Sequence, residues 1–411
     1  MSRAGGLLAI VLIIVGAITS TPGLSFAGFL VGLTSLLTEL WSRYGLRRVR
    51  YERRLANDRA VWGDEIGLDV SAWNDKPLPL AWLAVDDYVS EEASILGDNV
   101  QRSERPGLAI LRSVWTIGWF ERAARHLSIS ANRRGTFEFQ SVRLSVADLF
   151  GQGAAAEEHA APLRWIVRPR SVPVRSLGRD QHALDSLTAR HSLFEDPSLF
   201  AGVRPYQPGD PIRRIHWRAT ARTGAPVSKR FDPSRTRDVL IALDVQTVAG
   251  PHWALHFDED VLESLIVAAL SLARHAVADG AAVGLAAAGY TASLRRLVFL
   301  PPRGGEDQLA TIADFLGRLS EVPSAPFEHL LASLPPRLVP GTTIVVLSGR
   351  DPAPFGALLR RLDDTGYPVE FVAMGADAES AIARVRAFGL GARRATLTPD
   401  WRTGNALVLA G

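Results

Sequence analysis

The chain has 411 residues and a formal net charge of +3, a charge too small to indicate nucleic-acid binding by itself. Hydrophobic residues make up 47% and charged residues 22%, a balance typical of globular domains in a chain long enough for two or three. Cysteine is absent, which excludes a disulfide framework, a cysteine-ligated zinc site and a thiol nucleophile. Nearly every basic residue is arginine, and the only lysines are Lys76 and Lys229.

The N-terminal region contains no charged residue from Ala4 to Thr38. As one helix this stretch would extend about 52 Å, which is too long for a bilayer core of about 30 Å. Proline and glycine in the segment Ser20–Gly23 favour a break near its middle. The pattern therefore predicts a transmembrane helical hairpin within residues 1–42, with spans at Ala4–Thr19 and Leu24–Leu40.

The orientation of these spans follows from the basic residues after the second one, which are Arg43, Arg47, Arg48, Arg50, Arg53 and Arg54. Cytoplasmic flanks of membrane helices carry such an excess of arginine and lysine. We therefore expect a multi-pass protein of the plasma membrane whose soluble part is cytoplasmic. A cleaved signal peptide is the alternative for the first apolar run, but it would not need the second run.

The region 51–170 shows alternation of apolar and polar residues in several short runs, of which the first is Ile66, Leu68, Val70 and Ala72. Turn residues separate these runs, and Leu80, Trp82 and Ala84 are expected to share one face of the second. The alternation changes phase at Gln140–Ser141, where a bulge is expected. Short strands at this spacing predict a small β-sandwich.

The region 171–236 shows no clear periodicity and is predicted to be a linker followed by a basic segment. The basic segment, residues 202–231, contains one acid, Asp210, and seven basic residues, which are Arg204, Arg213, Arg214, Arg218, Arg222, Lys229 and Arg230. Three interpretations remain open: a brace between domains, a surface for an anion or acidic partner, and a catalytic site using Asp210 and His216. As a brace, Trp217 would supply an apolar contact and His216 a hydrogen bond.

This segment resembles the signature of the domain of unknown function 58 (DUF 58) family. The residues that carry the resemblance include Tyr206, Pro208, Gly209, Asp210, Arg213, His216, Trp217 and Arg222. Further similarity lies upstream, in Lys76–Leu83 and in Arg133–Phe137, so the resemblance extends over nearly the whole chain. The resemblance implies protein partners that include a MoxR-type AAA+ ATPase.

The region 237–411 alternates short apolar runs with amphipathic stretches, which predicts an open, doubly wound α/β sheet. A helix is expected from Asp258 to Ala278, and an antiparallel pair from the strands at 281–287 and 294–300. This order resembles a von Willebrand factor A-type domain. The predicted fold class is thus α+β multidomain: a transmembrane hairpin, a β-sandwich and a von Willebrand factor A-like domain.

Domains of that type often carry a metal-ion-dependent adhesion site with the motif Asp-x-Ser-x-Ser after the first strand. Here Asp244 is retained, whereas Gln246 and Val248 replace the two serines. A second acid, Asp351, follows a later strand. Because valine cannot ligate magnesium, we expect weak divalent-metal binding at Asp244 or none, and the alternative role is a capping carboxylate at the strand end.

Other motifs carry little chemistry. His252 and His256 have the spacing of two zinc ligands but lack the glutamate of a metalloprotease helix. Neither a phosphate-binding G-x-x-x-x-G-K-S/T loop nor a G-x-S-x-G elbow occurs. We therefore expect a non-enzymatic, membrane-tethered scaffold or adaptor that binds the lipid bilayer and protein partners, without a cofactor and without nucleic acid. The alternative is a metal-dependent hydrolase acting at the membrane.

Overall fold

The computed structural model describes residues 2–96, 100–147, 154–177, 195–207, 214–233, 238–248, 250–251, 257–291 and 297–410. The architecture mixes helices with several β-sheets. The chain divides into two units, Met1–Val167 and Arg168–Gly411, which are treated one at a time below.

The first unit begins with two apolar helices, α1 (Ser2–Ile18) and α2 (Pro22–Tyr44), which occupy the two predicted spans. Pro22 lies in the first turn of α2, where the missing N–H costs no hydrogen bond. The helices run antiparallel and approach closely at small residues. A Cβ at Gly28 would lie 2.9 Å from the carbonyl oxygen of Ala9, so this crossing requires glycine.

Two β-sheets follow the helices in the first unit. Their strands are β1 (Val49–Leu55), β2 (Arg59–Val61), β3 (Glu65–Asn74), β4 (Leu80–Ser90), β5 (Ser94–Ile95), β6 (Val100–Arg102), β7 (Leu108–Ile117), β8 (Arg122–Ser130), β9 (Gly135–Ala147) and β10 (Ala154–Arg168). One sheet has the order β1-β3-β8-β5, and the other has the order β2-β10-β9-β4-β7-β6. A single hydrophobic core takes side chains from both sheets, including Leu68, Leu83 and Trp165.

The strand patterns agree with the sequence except in β4. The expected bulge near Gln140 is confirmed, because Tyr88 of β4 pairs with Ser141 and Val89 pairs with Phe139. Trp82, however, is 52% exposed, and the expectation that it shares the face of Leu80 is wrong. The register of β4 shifts between Leu80 and Leu83, so that Leu83 takes the buried position instead.

The C-terminal turn of α2 is part of the same core. Trp41 is 8% exposed and Leu46, just after the helix, is 7% exposed. A Cβ at Gly45 would lie 3.1 Å from Cγ1 of Val146 in β9, so helix and sheet are in close contact there. A truncation that removes residues 1–42 would therefore remove Trp41 from the core of this unit.

The second unit is built on an eight-stranded sheet of order β11-β22-β21-β20-β19-β14-β15-β17. Its strands are β11 (Val174–Leu177), β14 (Asp238–Leu243), β15 (Ala282–Ala287), β17 (Val298–Arg303), β19 (Thr343–Ser348), β20 (Val369–Ala373), β21 (Gly391–Leu397) and β22 (Leu407–Ala410). The central pairs β14–β15, β14–β19 and β19–β20 are parallel. The antiparallel pair expected at 281–287 and 294–300 is confirmed by β15 and β17.

Helices α4 (Glu259–Ala278), α5 (Glu306–Arg318), α6 (Phe327–Ala332), α7 (Gly356–Asp364) and α8 (Ala378–Ala387) accompany this sheet, with a 3-10 turn at Pro335–Arg337. The helix expected from Asp258 to Ala278 is α4. The Asp258 side chain caps it by accepting a hydrogen bond from the Val261 N–H at 3.0 Å. Strands β16 (Gly289–Thr291) and β18 (Leu319–Pro323) form a separate antiparallel pair.

The predicted linker contains more regular structure than its sequence indicates. Strand β11 joins the main sheet, where Val174 pairs with Leu407. Further along, β12 (Glu195–Pro205) and β13 (Val227–Pro233) form an antiparallel pair, and the short helix α3 (Trp217–Thr223) lies between them in sequence. These pairings join residues far apart in the chain, so no local periodicity indicates them.

Candidate functional site

A buried carboxylate lies at the carboxyl edge of the main sheet. Asp244 directly follows β14, and Ser348 ends the neighbouring parallel strand β19, so both arrive at the same edge. Asp244 is 1% exposed. Its Oδ2 accepts hydrogen bonds from Ser348 Oγ at 3.0 Å and from Arg350 Nε at 2.8 Å, while its Oδ1 accepts one from the Gln246 N–H at 3.1 Å.

Asp244 and Arg350 form an ion pair in which both side chains are buried. Burial raises the pKa of Asp244 to about 6, although the adjacent Arg350 guanidinium and the hydrogen bond from Ser348 act in the opposite direction. Arg350 is 7% exposed, and its guanidinium lies over the Phe355 ring at 5.1 Å from the ring centroid. An arginine held on both sides in this way is fixed in position.

One nitrogen of Arg350 makes no hydrogen bond. Its Nη2 lies 3.6 Å from Glu328 Oε1, which is within ion-pair distance but too long for a hydrogen bond. This nitrogen is buried and has no hydrogen-bond partner among the described residues. A buried donor without an acceptor costs free energy that an incoming oxygen atom would recover.

A cleft of about 360 Å³ adjoins this arginine. Its described lining consists of Gln246, Gly250, Pro251, Pro326, Glu328, Arg350, Asp351, Ala353 and Pro354. The carboxylate of Asp351 pairs with Arg384, so the second acid expected near Asp244 is directed to a different partner. Three prolines give the cleft rigid apolar walls, and Arg350 and Glu328 give it polar groups.

The donor set at Asp244 does not fit a divalent cation. Both carboxylate oxygens accept hydrogen bonds, and a guanidinium already lies against Oδ2. The Gln246 side chain donates its Nε2 hydrogens to the carbonyl oxygens of Val248 and Gly250, and the Val248 side chain has only carbon atoms. In the described part of the chain no group of three or more histidine, aspartate or glutamate side chains is placed to hold a metal ion.

The signature segment is described only in part. Pro208, Gly209, Asp210 and Arg213 lie outside the described residues, as do His252 and His256. The brace, the anion surface and the catalytic pair of Asp210 with His216 therefore all stay predictions.

Four signature residues have described positions around α3. The Tyr206 N–H donates to the Pro226 carbonyl, and His216 caps α3 because its Nδ1 accepts a hydrogen bond from the Ala219 N–H at 3.1 Å. Arg222 is exposed in the last turn of α3. Trp217 is 66% exposed, and the apolar contact expected for it in the brace stays a prediction.

Sequence reasoning missed two buried arginines. Arg350 precedes Asp351 in a loop without periodicity, so the sequence pattern does not indicate that it is buried. Arg53 pairs with Asp87 in the core of the first unit at 2.7 Å, with both side chains nearly fully buried. The available signal for this second pair was an Asp86–Asp87 dipeptide within the otherwise apolar strand β4.

Comparison with protein families supports the resemblance over part of the chain. Residues 202–330 match the family described as "Protein of unknown function DUF58". The uncharacterized protein YeaD of Bacillus subtilis (strain 168) is 25% identical over 256 residues, which is 62% of this chain and 59% of that protein. The match thus covers well under two thirds of the relative's length, and neither description states an activity.

Comparison with solved structures gives partial likenesses. The CARDB domain of the PF1109 protein from Pyrococcus furiosus is 11% identical and covers 27% of this chain and 85% of its own, with a TM-score of 0.18. The cohesin module from a Clostridium perfringens glycoside hydrolase is 9% identical and covers 30% of this chain and 98% of its own, with a TM-score of 0.20. Scores this low carry no structural argument.

Proposed function

We propose that this protein is a membrane-anchored scaffold or adaptor, with α1 and α2 in the plasma membrane and the rest of the chain in the cytoplasm. The support is the exposed apolar surface of α2. Only 6% of its candidate span, Pro22–Trp41, is buried, and Phe26 is 63% exposed. Helix α4 is also long and apolar enough, but its window is 67% buried and forms the core of the second unit. Arginines after α2 favour the cytoplasmic orientation.

The second unit, in this proposal, is a von Willebrand factor A-like domain that binds a protein partner at the carboxyl edge of its sheet. The observation that carries the proposal is the buried Arg350, whose Nη2 has an ion pair with Glu328 at 3.6 Å but no hydrogen bond, beside a cleft with proline walls. An acceptor oxygen from a partner's backbone or side chain would complete its hydrogen bonds. A MoxR-type AAA+ ATPase is the proposed partner because of the resemblance to the DUF 58 family.

The test uses the full chain in lipid nanodiscs and a purified MoxR-type ATPase from the same cell. Binding is measured by biolayer interferometry for the parent chain, Arg350→Lys and the control Arg361→Lys, an exposed arginine of α7. We expect Arg350→Lys to weaken binding about tenfold, because lysine keeps the charge but loses the open guanidinium donor. Equal affinities for all three proteins would remove Arg350 from the interface, and no binding by the parent would refute this partner.

The rival proposal, a metal-dependent hydrolase, has less support. It would need a divalent cation near Asp244, where the guanidinium of Arg350 already bonds the carboxylate. The positive guanidinium would repel a divalent cation at that position, and Gln246 and Val248 lack the hydroxyl ligands of the adhesion-type motif.

A further inference from the structure

Several loops of the first unit lie near the C-terminal end of α2. Strand β1 begins opposite the end of β3, where Val49 pairs with Asn74, and β4 begins opposite the end of β7, where Leu80 pairs with Ile117. The β3–β4 loop and the β7–β8 turn therefore lie at the end of the sheets that α2 enters. If α2 spans the membrane, this end is the one nearest to the bilayer.

A pocket of about 480 Å³ opens at this end. Its described lining consists of Leu40, Tyr44, Arg47, Arg48, Lys76, Pro77 and Leu78. Three of these side chains are cationic, and none of the described lining residues is acidic. Leu40 is 39% exposed and belongs to the apolar surface of α2. The basic side of the pocket is therefore continuous with the helix surface that would contact lipid in the proposed membrane anchoring.

Lys76 is the most unusual group in the pocket. It is 5% exposed, and its Nζ donates a hydrogen bond to Asn74 Oδ1 at 2.9 Å, an amide oxygen without charge. Burial lowers the pKa of Lys76 to about 8. Among the described residues no carboxylate forms an ion pair with Lys76. A buried ammonium without a counter-charge is unfavourable, and a bound phosphate would provide that counter-charge.

The two arginines are held at the pocket by the backbone and by an aromatic ring. Arg48 has a left-handed backbone with φ of 53°, a conformation that non-glycine residues seldom adopt and that concentrates at functional sites. Its carbonyl oxygen accepts a hydrogen bond from the Asp75 N–H at 3.0 Å, which ties it to the loop that carries Lys76. The guanidinium of Arg47 lies over the ring of Tyr44 at 4.9 Å.

Two large aromatic residues project beside the pocket. Trp119 is 70% exposed and Phe120 is 69% exposed, at the tip of the β7–β8 turn. The Phe120 N–H donates to the Lys76 carbonyl oxygen at 3.3 Å, so this tip adjoins the pocket directly. Aromatic side chains exposed next to the end of an apolar helix are typical of segments that lie in the headgroup layer.

We propose that this pocket binds the phosphate of an anionic membrane phospholipid, with Trp119 and Phe120 in the surrounding headgroup layer. The proposal rests on the membrane anchoring proposed above. The lipid is favoured over free phosphate because the basic wall continues into the apolar face of α2, where an acyl chain would lie beside Leu36 and Leu40. The bound headgroup would fix the first unit against the membrane surface.

The test measures lipid retention by the full chain. The protein is reconstituted in nanodiscs that contain phosphatidylcholine with or without phosphatidylglycerol, and native mass spectrometry counts the lipids that remain bound after release. Lys76→Met is compared with Lys229→Met, which removes the only other lysine of the chain. We expect the parent and Lys229→Met to retain phosphatidylglycerol in preference to phosphatidylcholine. In Lys76→Met the ratio of retained phosphatidylglycerol to phosphatidylcholine should fall about fivefold.

A second readout uses the two lysines directly. Reductive ¹³C-methylation labels only these side chains and the N-terminus, and Lys229→Met assigns the signals. Phosphatidylglycerol should raise the pKa of Lys76 from about 8 towards the ordinary lysine value, because an anion stabilises the ammonium form. Phosphatidylcholine alone should leave this pKa unchanged.

Three results would overturn the proposal, and they are distinguishable. Equal phosphatidylglycerol retention by Lys76→Met and the parent would exclude the pocket as the site. The same rise in the Lys76 pKa with inorganic phosphate, without lipid preference, would show a free-phosphate site. Failure of the full chain to float with vesicles of either composition would refute the membrane anchoring itself.

Discussion

The two units each bury an aspartate–arginine pair, and the two pairs differ in how completely they are satisfied. In the first unit, Asp87 accepts hydrogen bonds from Arg53 at 2.7 Å and from the Tyr51 hydroxyl at 2.5 Å. A second nitrogen of Arg53 donates to the Ala161 carbonyl oxygen, and its guanidinium lies over the Phe139 ring. In the second unit, Arg350 bonds Asp244, but its Nη2 has only an ion pair with Glu328 at 3.6 Å and no hydrogen bond.

Burial alone does not distinguish the Arg53–Asp87 pair from the Arg350–Asp244 pair. Burial raises the pKa of Asp87 to about 6, the same value as that of Asp244. The difference lies in geometry, because the first pair has partners on every side within one core and the second adjoins a cleft. A complete pair holds two sheets together, whereas an incomplete one is a candidate for recognition.

The largest expected effect comes from breaking the complete pair. Arg53→Met should lower the free energy of unfolding by about 3–5 kcal/mol, because it leaves the Asp87 carboxylate buried without its counter-charge. Thermal unfolding of the full chain in nanodiscs measures this loss. The double variant Arg53→Met/Asp87→Leu is the control and should recover most of the stability. A single variant as stable as the parent would show that the pair is dispensable to the core.

The pH dependence of stability should report the same pair. A carboxyl whose pKa is near 6 when folded and 3.8 when unfolded binds more protons in the folded state between those values. Its contribution to the free energy of unfolding is therefore greatest below about pH 4 and declines by about 2–3 kcal/mol as the pH rises past 6. Because Asp244 titrates in the same range, denaturant unfolding at pH 4 and pH 7 should show a decline in the parent that exceeds the decline in Asp87→Asn by about 2–3 kcal/mol. Parallel pH profiles would contradict it.

The smallest effect on stability should come from the incomplete pair. Arg350→Lys keeps a cation beside Asp244 and removes the Nη2 donor, which makes no hydrogen bond. We therefore expect the free energy of unfolding to fall by about 1 kcal/mol. The same change should weaken partner binding about tenfold, as argued above. Unfolding of this variant is compared with that of Arg361→Lys. A loss as large as that of Arg53→Met would mean that both pairs are structural.

The sequence predicts those parts of the fold that have a local pattern. Alternation over Ile66–Ala72 indicates β3, and the helical period from Asp258 to Ala278 indicates α4, because one buried face imposes each period. The pairing of Val174 in β11 with Leu407 in β22 has no local signal. Strand β11 was therefore assigned to a linker.

The candidate site could be predicted only in part for the same reason. Asp244 was recognisable at the end of an apolar strand, but its partner Arg350 lies 106 positions away. A guanidinium in the place expected for a metal ion changes the chemistry without changing the strand pattern.

The account depends most directly on the claim that Arg350 takes the place of a divalent cation at the sheet edge. Isothermal titration calorimetry of the full chain with Mg²⁺ and Mn²⁺, alongside Asp244→Ala, tests it. We expect no saturable binding at millimolar concentrations, because the guanidinium bonds Asp244 and the hydroxyl ligands of the motif are missing at Gln246 and Val248. Micromolar binding by the parent that disappears in Asp244→Ala would contradict the account.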